Sequence, residues 1–452
     1  MSASFRTRFA ISLALVTLGA TTAEAAPAAW SGSGAVTDRR ATNLHAAGNR
    51  HGSEAIVWKL TSTRLVRLRA QTGFASLVRA RIRLPDGRLG RTQTISSTGE
   101  LVAGPQVGVA ENGDAWAVWT QAGRHIRIMG AFHPRGKPFG TPFELGRSSR
   151  FNDARPQIAV GRFGDVAVAW NAGRSIRVVR RAANAQCSAR RALACFKPTV
   201  SLRAGADHTV AIGPLGSAYV VWAANEVAGA LRTRLRMTVI RRSNRHSREH
   251  AISSEGNASQ PSIAVRADGT AEIAWRASKP AGGEQNEAAP IWVAVSGPDA
   301  VSLAPQQVSP APAEQPVMRV NRQGEAIVAW DEHDPAPGAP EGPRIVVAVR
   351  AAGAQTFGAP TVISPGNAAT TGAALAVDAT GTAYLAYAST GATAPQTPVG
   401  VSHVRPAGGV FGPPLALPAG IERPSLIAAG PKVSAFGSAT DERIVVSDWT
   451  TP

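Results

Sequence analysis

A glycine followed six residues later by an aromatic side chain recurs along this 452-residue chain. The glycines are Gly52, Gly113, Gly164, Gly216, Gly269, Gly324, Gly381 and Gly430, and their aromatics are Trp58, Trp119, Trp170, Trp222, Trp275, Trp330, Tyr387 and Phe436. Successive glycines stand 61, 51, 52, 53, 55, 57 and 49 residues apart. Periods of this size mark one supersecondary unit copied along the chain, each copy covering its apolar face with the next.

Inside each unit the signals return in one order. Pro105, Pro156, Pro261 and Pro316 stand eight residues before their glycines and open a short apolar run such as PQIAV or PSIAV. Proline is tolerated at a strand's first residue, where the ladder does not need its missing N–H. A tight turn such as GRFGDV follows, in which glycine supplies positive φ. The second run, DVAVAW or EAIVAW, ends on the aromatic; a third, SIRVVRR or RIVVAVR, comes after a variable loop. A fourth is announced by Phe139-Gly140-Thr141-Pro142, Phe357-Gly358-Ala359-Pro360 and Phe411-Gly412-Pro413-Pro414. Second runs are apolar on both faces, Val166, Val168 and Trp170 pointing one way and Ala167 and Ala169 the other. The connections are too short for helices, so the neighbouring sheet must cover both faces.

The expectation is an all-β fold, a β-propeller of four-stranded antiparallel blades; a two-sheet sandwich would cover only one face of each sheet. The last unit, Pro424 to Trp449, has three strands, while Trp30 to Thr37 (WSGSGAVT) reads like a fourth. Pairing them closes a ring of eight blades through the N-terminal strand. Seven blades with a loose terminal hairpin is the alternative.

The 45 Gly and 32 Pro suit many short strands and turns. Arg6 and Arg8, the apolar run from Phe9 to Ala20 and Ala23-Glu24-Ala25 read as a signal peptide over residues 1–25, leaving 26–452 as a single propeller domain outside the cytoplasm. That run is too short to span a bilayer and no later one is longer, so no membrane span is expected. In an oxidising compartment the two cysteines, Cys187 and Cys195, would form a disulfide.

Through the glycine-plus-six aromatic and the F-G-x-P turn, the chain resembles the secreted bacterial β-propeller repeat proteins, grouped loosely with sialidase-like propellers. The resemblance covers nearly all of the chain after residue 25 and implies architecture and export, not an activity. Sialidase Asp boxes place their aromatic three residues after the glycine, not six.

The net charge of +18 is divided. Residues 26–253 hold 32 Arg and 3 Lys against 12 acids, a net +23, whereas residues 254–452 hold 9 Arg and 2 Lys against 17 acids, a net −6. Period-two spacing puts Arg79, Arg81 and Arg83 on one face of a strand, and Arg232, Arg234 and Arg236 on one face of another. Such surfaces suit an extracellular polyanion or an acidic envelope protein; the same pattern also serves as a solvated face guarding a sheet edge. Aromatics do not interleave with these arginines, so nucleic acid is not expected as a dedicated ligand.

The repeat aromatics share one register and read as packing between blades. Trp116 and Trp292 fall outside it and are candidates for ligand contact. Loops after the second runs vary most, from NAGRS to DEHDPAPGAPEGPR. The latter gathers Asp331, Glu332, His333 and Asp334, which could hold a hard cation or supply acid/base groups, or form an exposed acidic loop. His246 and His250 stand four apart but lack the glutamate of H-E-x-x-H.

The sequence contains no P-loop, nucleophile elbow or cofactor fingerprint; no catalytic residue is singled out, and no cofactor or metal is expected. A glycan hydrolase needs two facing carboxylates, but Asp114, Asp165, Asp268 and Glu325 belong to the repeat turns. Tyr219, Tyr384 and Tyr387 all lie inside second runs. Two functions remain. One is a monomeric, non-catalytic binding or scaffold propeller that docks a protein or an anionic polymer through its variable loops and basic half. The other is a glycan-active hydrolase or lyase with its site at the channel mouth.

Overall fold

The structure is a computed structural model and describes residues 29–450 apart from 33, 38–39, 69–71, 184, 186–191, 226–232, 254–255, 279–288, 298–303, 334–342, 365–368, 391–397 and 439–441. The segment 1–25 expected to be a signal peptide, Cys187, Arg232 and Asp334 therefore lie outside the described residues. Among those described, the one helical element is a 3-10 turn, Ala192–Cys195, and all other regular elements are strands.

Each unit is an antiparallel meander. The first runs Ala41–Gly48, Glu54–Arg67, Thr72–Arg83 and Gln93–Thr94 in that order across its sheet, and the pattern repeats down the chain. One pair of meanders shares a sheet, because Thr233 makes a single parallel bridge to Asn257 and donates its hydroxyl to Ala258 O at 2.6 Å. First strands line up in chain order as Ala41–Gly48, Leu101–Val109, Gln157–Val160, Gly205–Ile212, Asn257–Val265, Ala313–Val320, Ala369–Val377 and Ser425–Ala429. Each packs on the next and the last packs on the first, so the series closes around a central channel. The fold is a β-propeller.

At the seam, Ile444–Thr450 pairs with Ala29–Trp30 and Gly34–Ala35, setting Trp30 opposite Trp449 and Ala35 opposite Val445. Trp30 stands edge-on to Trp449 at 5.4 Å and donates Nε1–H to Ser402 Oγ at 2.8 Å. Arg83 pins the same seam: it donates to both carboxylate oxygens of Asp448, at 2.8 and 2.5 Å, and to Glu54 at 3.1 Å.

Radial packing explains the repeat. Trp119 packs against Val57 and Val78 of the preceding unit, Trp222 against Ala169 and Val178, and Phe436 against Ile56 and Trp58. Every repeat aromatic is at most 2% exposed, which identifies them as core. Truncating one such side chain to alanine costs about 3–5 kcal/mol. Acids at the start of second strands are fixed by arginines at or just past the end of the next unit's third strand: Asp165 with Arg242 at 2.6 Å, Glu272 with Arg350 at 2.5 Å and Glu325 with Arg405 at 2.6 Å.

One sequence expectation is corrected. Pro105, Pro261 and Pro316 do not start their strands but lie inside them, each directly after a residue of positive φ (Gly104, Gln260, Gln315) and at a break in register. A β-bulge leaves a residue unpaired in the ladder, so the missing N–H is tolerated there as well.

Candidate functional site

First strands run from one face of the ring to the tight-turn face, and second strands return. The bulges at the beginning of first strands and the variable loops after second strands consequently share one face, called here the loop face. Nine residues before the repeat glycine, Arg155, Asp207, Gln260 and Gln315 occupy successive units at this face. They are linked in series: Arg155 Nη1 lies 3.0 Å from Asp207 Oδ1, Gln260 N donates to Asp207 Oδ2 at 3.1 Å, and Gln315 N donates to Gln260 Oε1 at 2.7 Å. Side chain to backbone, the chain of bonds stiffens a polar rim.

Three cavities open on the loop face, each with arginine in its lining. One of about 530 Å³ is bounded by Arg40, Arg64 and Arg79, the hydroxyls of Thr61, Ser62, Ser76 and Thr98, and an apolar floor of Leu60, Ala75 and Leu77. A second, of about 340 Å³, holds Arg150 and Arg155 together with Asp153 and Asp207. The third, of about 530 Å³, lies at the seam with Arg423, Glu422 and Glu442. The first differs from the others in having no acid in its lining. None of its three arginines makes an ion pair among the described residues, and Arg79 Nε is buried without a hydrogen-bond partner.

The first cavity is built where the repeat is longest, the 61-residue interval after Gly52. Here the second and third strands, Glu54–Arg67 and Thr72–Arg83, extend to 14 and 12 residues and continue past the ring as an arm. Val66 and Leu68 of the arm pack on Leu101, Ala122 and Ile126 of the next unit, while Leu65 and Phe74 are 56% and 55% exposed.

The structure separates the residues that the sequence had grouped. Of the first arginine trio, only Arg79 lines a cavity. Arg81 donates to Gly90 O and Val36 O, both at 2.7 Å, which ties it to the N-terminal segment, and Arg83 is buried in the seam against its carboxylates. Of the second trio, Arg234 and Arg236 are half-buried on Thr233–Ile240, opposite Ala224 and Trp222, and neither is free of partners.

The acidic group is also redistributed, because the strand Ala326–His333 continues three residues past Trp330. Asp331 is 1% exposed and accepts from Gly372 N at 2.9 Å and Ala373 N at 3.3 Å; burial nonetheless pushes its carboxyl above the usual range. Glu332, equally buried, accepts from Trp330 Nε1 at 3.1 Å and from Arg344 at 2.8 Å. Of the three described members of the group, only His333 is exposed, 3.6 Å from Glu314. Asp331 thus bonds across to the next unit and Glu332 within its own sheet, and neither lies in an open acidic loop. Among the described residues, no cluster of three acid, His or Cys ligands exists.

Trp116 is likewise core: it is 2% exposed, stacks on Phe132 at 4.1 Å and carries Arg181 over its ring. Trp292 is half-buried opposite Trp275. The tyrosines are committed as well. Tyr219 donates to Gly269 O and Tyr384 to Asp378, while Tyr387 shares a 3.0 Å hydrogen bond with His403 and is pushed by burial up to about 12. The arm cavity and the bulge-linked rim were not singled out from the sequence.

No family model matches the sequence, and no curated protein matches it. Among solved structures the chain is similar to polysaccharide lyase Uly1, at 10% identity and a TM-score of 0.50 over 79% of this chain and 92% of that one. The β-propeller domain of Cps50 (Swd1) from Myceliophteria thermophila aligns with 93% of this chain and 100% of its own, at 10% identity and a TM-score of 0.45. That of the trilobed protease from Pyrococcus furiosus aligns with 81% and 94%, at 8% identity and a TM-score of 0.43. At such identities the likeness concerns the fold alone.

Proposed function

We propose that this chain is an extracytoplasmic, monomeric, eight-bladed binding propeller that docks an anionic polymer on the loop face of its basic half and does not turn it over. The observation that carries the reading is the arm cavity, with three arginines lacking carboxylate partners and one unpartnered buried Nε. Planar guanidinium forks match carboxylate and sulfate groups, the hydroxyls add further donors, and the apolar floor suits the non-polar face of a sugar ring. Arg234 and Arg236 on Thr233–Ile240, and Arg232 before them in sequence, belong to the same basic half of the chain. Eight blades accord with the closed series of first strands, and export with the leader-like segment 1–25; in that compartment Cys187 and Cys195 would form a disulfide.

A column of immobilised sulfated or uronate polysaccharide tests the proposal. The protein is expected to be retained and to elute with salt. Arg40→Ala with Arg64→Ala and Arg79→Gln should weaken retention at least about tenfold, or ~1.4 kcal/mol. Elution of the triple variant at the salt concentration of the parent would refute the cavity as the docking site. The alternative, a glycan-active hydrolase or lyase, draws on the likeness to a polysaccharide lyase, which at 10% identity concerns fold. Release of new reducing ends or unsaturated uronate from such polymers would establish it instead.

A further inference from the structure

Five residues before the repeat glycine, the side chain is small in every unit but one. The series reads Ala47, Gly108, Ala159, Ala211, Ala264, Arg319, Ala376 and Ser425. The cause is the closeness of neighbouring first strands: a Cβ added at Gly108 would collide with Val160. A guanidinium cannot lie in that seam and must leave it for the space the first strands enclose.

Other observations place Arg319 there. Its surface is open to solvent, yet burial lowers its pKa, the combination expected of a side chain standing in water with protein all around. Arg319 also contributes to lowering the pKa of His45, although the first strands that carry them are not packing neighbours. The two can influence each other only across the channel. Arg319 Nη1 donates to Met318 O at 2.8 Å, and the guanidinium makes no ion pair among the described residues. His45 Nδ1 accepts from Val107 N at 3.2 Å, which leaves the neutral ring its proton on Nε2 as a free donor. Ser262 Oγ accepts from Met318 N at 3.0 Å, leaving its hydroxyl proton to donate.

We infer that the central channel holds an oxyanion group, a carboxylate, sulfate or phosphate, on Arg319, with further donors from His45 Nε2 and Ser262 Oγ. A guanidinium with its charge unmatched in a confined space gains more from an oxyanion than one at an open surface, because water screens it less. The inference rests on the closed ring and not on the arm cavity, so either site stands if the other fails.

Calorimetric titrations with inorganic phosphate, inorganic sulfate and glucuronate test it, on the parent and on Arg319→Ala and Arg319→Lys. Alanine already occupies this position in five other units, so Arg319→Ala is expected to fold. The parent should bind at least one probe saturably, Arg319→Lys more weakly, and Arg319→Ala at least about tenfold more weakly. Imidazole NMR gives an independent readout: a bound anion offsets the guanidinium charge, so it should raise the pKa of His45 in the parent and leave it unmoved in Arg319→Ala. Competition by a glucuronate oligosaccharide would assign the group to a carried chain, and its failure to compete would assign it to a free anion; both support the site. Absence of saturable binding by the parent, or equal binding by Arg319→Ala, would overturn it.

Discussion

Buried indoles find acceptors in two ways: Trp170 donates to Arg147 O of the preceding unit at 3.2 Å, while others use the residue two places further along the second strand, which shares their face. Trp119 donates to Gln121 at 2.8 Å and Trp330 to Glu332 at 3.1 Å, whereas Trp222 and Trp275, followed at that place by Ala224 and Ala277, leave Nε1 unpartnered. Ala277→Gln should supply the missing acceptor and raise stability by about 1 kcal/mol, and Glu332→Ala should lower it by about 1–3 kcal/mol through stranding the buried Trp330 Nε1; denaturant midpoints measure both. Burial also holds His45 and His208 at about 4, against 6.5 for a free histidine. Between those values the unfolded chain takes up protons that the fold refuses, so stability is lost as pH falls from 6.5 to about 4. His208→Gln, which keeps a donor toward Ala169 O, should flatten that acid limb by ~1–2 kcal/mol in denaturation curves at pH 7 and pH 4.5. Asp331 and Glu332 were read as loop acids because the repeat aromatic was taken as the end of the strand; the pairing of Trp119 with Gln121 is the pattern that would have placed Glu332 inside it.

At the scale of elements, the period gave away the meanders because glycine and aromatic answer to backbone φ and to packing between sheets, both local in sequence. The bulge was hidden: Gln260 and Gln315 adopt positive φ without being glycine, and a proline reads the same at a strand's start as at its bulge. The arm was visible only as an over-long first interval, since strands that pass beyond a sheet carry no signal distinct from a loop. Replacing residues 62–74 by a two-residue turn should leave a cooperatively melting ring while reducing retention on an anionic polysaccharide column. Loss of cooperative melting would show that the contacts of Val66 and Leu68 with Leu101 and Ile126 are needed for the fold itself.

Across the whole molecule, the seam is where sequence and structure agree most closely, because WSGSGAVT matched a strand that the last unit lacked. Deleting residues 29–37 should strip Ile444–Thr450 of its partner, lower Tm and expose an edge that pairs with other copies, visible as larger species in size-exclusion chromatography. An unchanged Tm would mean that Arg83 and its carboxylates close the ring unaided. The lock also sets a schedule. Ser31 and Ser447, hydrogen-bonded at the seam, stand 416 positions apart, so a ribosome must finish almost the entire chain before the first strand meets its mate. Until then the ring lacks the pairing that closes it, so completion of the rigid disc waits on the last strand.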